Sequence, residues 1–200
     1  LNKLGGTEWT KAKARVKESL KVLAADLIRI QAERRNTKGY AFSPDTVWQK
    51  RFEETFAFEE TPDQLKCVNE IKADMESEFI MDRLLCGDVW YGKTEVAIRA
   101  AFKAVMDSKQ AAFLVPTTVL ASQHFETLKK RFSGFPIKVE MLSRFRTDAE
   151  QKAIIRDLKS GRIDIIVGTH MILGESVKFK DLGLLVIAVS YTHLTLPTIY

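Results

Sequence analysis

The sequence predicts an α/β fold: a parallel sheet with crossover helices, truncated and preceded by a long basic helix. Three observations carry that expectation. From about residue 82, short apolar runs alternate with helical stretches, the pattern of strands joined by helices. A stretch from 7 to 38 holds neither Gly nor Pro and repeats its apolar residues at helical spacing. A glycine-bounded octad at 87–94 lies between an apolar run and a helical stretch, where a phosphate loop sits in such a sheet.

The elements follow in order. Thr7 is an N-cap candidate, and Val16, Leu20, Leu23, Leu27 and Ile30 form one stripe on a helix over 8–38. A helix of ~30 residues runs ~45 Å, so a single narrow stripe suggests that it lies across another domain. Gly39 ends it. Ser43-Pro44-Asp45 reads as a helix start, with Val47, Trp48, Phe52 and Phe56 as core or docking residues of a connector over 39–57. Thr61-Pro62 opens the next helix, whose apolar face is Leu65, Val68, Ile71 and Met75. Strands are then expected at 83–86, 111–115, 137–142, 163–167 and 184–187, and helices at 93–106, 117–132 and 147–158.

Composition narrows the function classes. At 200 residues, 46% apolar and 28% charged, the chain is globular rather than disordered or collagen-like. The longest apolar run, 184–189, falls far short of the ~20 residues of a membrane span, so no membrane partner is expected. Two cysteines, Cys67 and Cys86, cannot build a disulfide framework; they point to a reducing compartment and a cytoplasmic protein. Cys86 is expected to be buried on its strand. With His124 and His170 the cysteines lack metal-ligand spacing. Residues 1–50 hold 11 Lys and Arg against 5 Asp and Glu, a net +6, whereas 51–200 hold 20 against 21. That basic segment faces nucleic acid or an acidic partner, or is the solvated side of a long helix. The first residue is Leu1, and the chain is expected to be a piece of something longer.

Gly87-Asp88-Val89-Trp90-Tyr91-Gly92-Lys93-Thr94 fits G-x-x-x-x-G-K-[ST]. A match arises by chance in roughly one chain in a hundred of this length, but the flanking run 84–86 and helix from Val96 supply the context the motif requires. Loop amides and the helix N-terminus face phosphates. Lys93 neutralises β/γ oxygens, and Thr94 ligates Mg²⁺. A nucleotide and Mg²⁺ are therefore the expected cofactors, with Lys93 and Thr94 as the catalytic pair; that the nucleotide is ATP is what the family resemblance below implies. Trp90 stands where small residues let backbone approach phosphate; a positive φ there costs on the order of 1–2 kcal/mol, unless the ring simply points to solvent.

At 81–89 and 92–97 (MDRLLCGDV and GKTEVA) the sequence resembles the bacterial transcription-repair coupling factors, superfamily 2 ATP-driven DNA translocases. The resemblance covers about 1–187. It implies a RecA-like motor lobe over 58–187, incomplete at its end. It assigns 1–7 to the end of a polymerase-interacting domain and 8–38 to the linker helix. That lead-in separates it from the fork-remodelling helicases, which share the motor motifs. Phe58, Thr61 and Gln64 look like the adenine-recognition motif: Phe58 to stack, Gln64 to meet both edges of the base. Alone, Gln64 is an exposed helix residue. Pro116-Thr117-Thr118, Ser143-Arg144-Phe145-Arg146 and Gly168-Thr169-His170 resemble the DNA-backbone motifs, giving Thr117, Thr118, Arg144, Thr169 and His170 as contacts. Read alone they are an N-cap, surface arginines and a structural histidine. None reads bases, so binding to double-stranded DNA is expected to be sequence-independent and salt-sensitive. RNA polymerase and repair factors are implied as partners of the longer protein.

The family follows 184–187 with Asp-Glu-Glu-Gln, whose acids hold the Mg²⁺ shell and orient the attacking water. Here those places are Ala188 and Val189. The stretch 188–200 matches nothing in the family and reads as a frameshift or adapter translation. The expectation is a nucleotide-binding piece of an ATP hydrolase that is itself inactive.

Overall fold

The computed structural model describes residues 7–87 and 92–188. The first helix, α1, spans Thr7–Asn36, and its apolar stripe is solvent-facing throughout. It is tied to the body at its C-terminal end. Arg34 and Gln31 bond the Asp82 carboxylate, and Lys38 pairs with Glu78 at 2.8 Å and bridges to Phe79. The helix ends at Asn36, short of the 8–38 the sequence suggests, and Gly39 beyond it lies close against backbone, where a Cβ would be 3.1 Å from the Ile80 nitrogen.

The connector helix α2, Val47–Glu54, starts later than Ser43-Pro44-Asp45 suggests. Thr46 is the cap, its hydroxyl accepting from the Gln49 amide, whereas Asp45 turns its carboxylate to Lys72 and Lys103. Of the four apolar residues expected to dock, Phe52 is fully buried and stacks on Phe102 with centroids 4.2 Å apart, while Val47 and Trp48 stay exposed. The next helix, α3, covers Pro62–Met75 with Thr61 and Gln64 as a reciprocal capping box and Pro62 in its first turn.

The remaining elements alternate as the periodicity requires: α4 Lys93–Met106, β1 Gln110–Leu114, α5 Thr118–Arg131, β2 Val139–Leu142, α6 Asp148–Ser160, β3 Ile165–Gly168, a 3₁₀ turn His170–Leu173, and β4 Leu182–Ile187. All strand pairs are parallel, in the order β2-β3-β1-β4. Ala111, Phe113, Ile165 and Val167 face the cluster formed with α2, α3, α4 and α5; Ala112 and Ile166 face α6 and the 3₁₀ turn. A strand buried on both faces needs an unbroken apolar run, which is what 111–113 and 165–167 are.

One expected strand is absent. Residues 83–86 have no regular secondary structure and join no ladder among the described residues. Leu85 packs on the main core while Leu84 is 81% exposed. An apolar run reports burial, but a strand also needs a neighbouring edge to bond. For the same reason Cys86 is exposed rather than buried.

Candidate functional site

The helix α4 runs back along β1, joined to it by the short turn 107–109 and packed on both β1 and β4. Its N-terminus therefore lies at the C-terminal end of the sheet. Gly92 caps it in the left-handed region, φ 66°, with no side chain bonded over the first turn. Its first-turn amides thus face outward, the arrangement that receives an anion. Lys93 folds its ammonium onto the Gly87 carbonyl, bridging the start and end of the expected phosphate loop. Thr94 follows it in the first turn and is half-buried. Asp88, Val89, Trp90 and Tyr91 lie outside the described residues.

Gln64 reaches this loop from α3. A Cβ added to Gly92 would sit 2.4 Å from the Gln64 Nε2, a side-chain end that can move aside, so it is the φ of 66° that calls for glycine here. The Gln64 Oε1 accepts from the Thr61 amide at 2.9 Å. One acceptor site of the side chain is thus committed to the cap, and the amide nitrogen is aimed at the loop. Gln64, Gly87 and Lys93 line one cleft of about 450 Å³, with Cys67, Leu85 and Cys86 along its wall; that volume suits a small organic ligand. Phe58 does not line it. The ring is 75% exposed and sits edge-to-face on Phe56 at 5.5 Å, with its face free to stack.

The expected DNA contacts converge on one edge. Leu114 and Leu142 both pair with Gly168, so the residues just beyond β1, β2 and β3 emerge together. These are Thr117 and Thr118, Arg144, and Thr169 with His170. Thr117 caps α5, its hydroxyl accepting from Leu120 at 3.2 Å, which leaves its O–H and the first-turn amides for an anion. Arg144 is exposed beside the Phe145 ring. His170 is exposed, whereas Thr169 is buried at 5%, so of the two only His170 lies open at the edge. Arg146, also in that segment, is engaged with Glu140 and Glu150.

The sequence reading missed a charged network beneath the site. Glu95, next to Thr94, accepts from Arg99 at 3.0 Å and from Arg131 at 2.8 and 3.0 Å. Arg99 also donates to Glu60 at 2.7 Å. The Glu95–Arg99 pair has the i,i+4 helical spacing that could have flagged it; nothing local marks Arg131 or Glu60. Arg99's hydrogen bond holds the Glu60 carboxyl below its ordinary value.

No group of three or more His, Cys, Asp or Glu among the described residues lies together as a metal site. What is present fits Mg²⁺ only as a partner of bound phosphate: one hydroxyl, Thr94, beside an anion-receptive helix end. The backbone after β4 continues as Ala188, whose amide donates to the Leu114 carbonyl at 2.9 Å, with no carboxylate at that position.

The profile of DEAD/DEAH box helicases matches residues 61–188. The chain belongs to the DEAD/DEAH box helicase family. Its sheet and flanking helices have the RecA-like helicase fold of the structure of RecG bound to a three-way DNA junction, with TM-score 0.78 and 37% identity over 92% of this chain and 25% of that one. The resemblance drawn from the motifs is borne out: the chain is 58% identical to the transcription-repair-coupling factor of Bacillus subtilis (strain 168) over 187 residues. It is 57% identical to that of Staphylococcus haemolyticus (strain JCSC1435) and 55% to that of Staphylococcus aureus (strain USA300). It covers 94% of itself in these matches and spans 16% of the relatives' length. No helix among the described residues is long and apolar enough to cross a membrane.

Proposed function

We propose that this helicase-family chain is the ATP-binding part of the first motor lobe of a double-stranded-DNA translocase, one that couples transcription to DNA repair by acting on stalled RNA polymerase. The observation that carries the reading is the convergence at one end of the sheet. Gln64, Gly87 and Lys93 meet there in a cleft, and the residues after β1, β2 and β3 share the same edge. Nucleotide and DNA backbone are thus met by loops of one rigid sheet, which lets a change at one be felt at the other.

In this reading Lys93 leaves the Gly87 carbonyl for β/γ oxygens, the α4 amides take the remaining phosphate charge, and Phe58 stacks on adenine with Gln64 at its edge. Thr94 would hold Mg²⁺ on the protein side, and the ion would supply neutralisation of the phosphate charge. A fork-remodelling helicase is the second reading, supported by the RecG likeness; identity of 58% against 37% favours the first.

Hydrolysis is a separate matter. Ala188 stands where the family's water-orienting acids begin. Loss of a carboxylate base costs roughly 10²–10⁴ in rate. The chain therefore binds nucleotide without turning it over. Steady-state phosphate release with and without duplex DNA checks this. No DNA-stimulated release is expected; clear stimulation would place the catalytic acid elsewhere in the chain.

A further inference from the structure

We propose that Arg99 and Arg131, with Glu95 between them and Glu60 opposite, are positioning residues that fix the loop carrying Phe58 against the helix carrying Lys93 and Thr94. The consequence is that base and triphosphate of one nucleotide are met at a set separation. The proposal rests on the nucleotide-binding reading above and names what holds its two halves together.

Phe58 lies on the segment 55–60 between α2 and α3, which has no regular secondary structure beyond a turn. A segment of that kind gives a stacking ring no fixed place unless its ends are held. Both ends are. At one, Arg131 Nη1 donates to the Thr55 hydroxyl at 2.6 Å and Nη2 to the Phe52 carbonyl at 2.8 Å. At the other, Arg99 Nη2 donates to Glu60 at 2.7 Å. Between them the Arg99 guanidinium lies 5.3 Å from the Phe56 ring centre, and Phe56 in turn carries Phe58 edge-to-face.

The other side of the network is the phosphate-loop helix. Arg99 sits six residues beyond Lys93 on α4, about 9 Å along its axis, and its side chain is 3% exposed. Glu95 takes both arginines, so α4, the end of α5 and the Phe58 segment share one set of bonds. Planar guanidinium forks suit this, since each meets several acceptors in fixed directions where an ammonium offers one compact charge. Buried charge networks are often replaceable by apolar packing with no loss of stability; what apolar packing does not supply is a directional tie between two ligand-binding segments.

The test is competition for a fluorescent ATP analogue on the 200-residue chain with Mg²⁺, using ATP and inorganic tripolyphosphate as displacers. Glu60→Ala is expected to weaken ATP by about tenfold, the worth of one well-placed aromatic contact, while tripolyphosphate changes less than about twofold. Phe58→Ala should show the same split. Glu60→Gln, which keeps an oxygen for Arg99, should recover most of the ATP affinity. Should Glu60→Ala fail to fold by thermal melt, Thr55→Val carries the test, with the same split at smaller size. Equal weakening of both displacers, or unchanged ATP affinity in a folded variant, overturns the proposal while leaving nucleotide binding intact. A wild-type chain that binds neither displacer, or ATP no better than tripolyphosphate, instead removes the nucleotide reading beneath it.

Discussion

Gly92 sits in the left-handed region with the Gln64 amide close by. Ala there takes on a strained φ of about 1–2 kcal/mol and displaces the end of the Gln64 side chain. Gly92→Ala is therefore expected to lower stability by about that amount in urea unfolding and to weaken nucleotide binding with it. Asp45 makes a second residue-scale case. Burial works against its ionisation, but hydrogen bonds and charges from Lys72 and Lys103 outweigh it and hold the carboxyl below 3.8. A depressed carboxylate contributes stability that is present above its unfolded value and lost as pH falls through the folded one. Asp45→Asn should thus be less stable than wild type at neutral pH, with the gap closing below pH 3.8 in parallel thermal melts. The glycine was legible as part of a motif. The Asp45 cluster was not, because its partners come from positions 27 to 58 residues away.

The elements divide according to what signals them. The helices α3 and α6 announce themselves with Thr and a Gln or Glu three residues on, and both capping boxes form. The strands β1 and β3 are apolar runs buried on both faces, so the run and the strand coincide. The run 84–86 has the same texture without a bonded neighbour, and its pairing cannot be read from the run itself. On α1 the stripe is present in the sequence and remains exposed, Val16 at 58% and Leu23 at 55% among it. The sheet edge carries the prediction at this scale. Arg144 is its freest cation, so Arg144→Ala should weaken duplex DNA equally across sequences and reduce the salt slope of log K by about one. Titrations of two unrelated duplexes at several salt concentrations check it; a loss confined to one sequence would mean base readout instead.

Taken whole, the chain is a parallel sheet whose C-terminal end gathers nucleotide-binding and DNA-binding candidates, with a long helix tethered to the segment that follows α3. Lys93, Gln64 and Gly87 were each legible as motif members, and their meeting in one cleft required the fold. The arginine network below them was not legible, because Glu60, Arg99 and Arg131 belong to three segments whose contact is set by packing. The central claim is that a nucleoside triphosphate binds this cleft through Lys93. Calorimetric titration of Mg·ATP into the chain and into Lys93→Ala tests it most directly. Measurable binding to the wild type that weakens by at least about tenfold in the variant, the worth of one charge-assisted phosphate contact, is the predicted result. Equal affinity in the two proteins would contradict it.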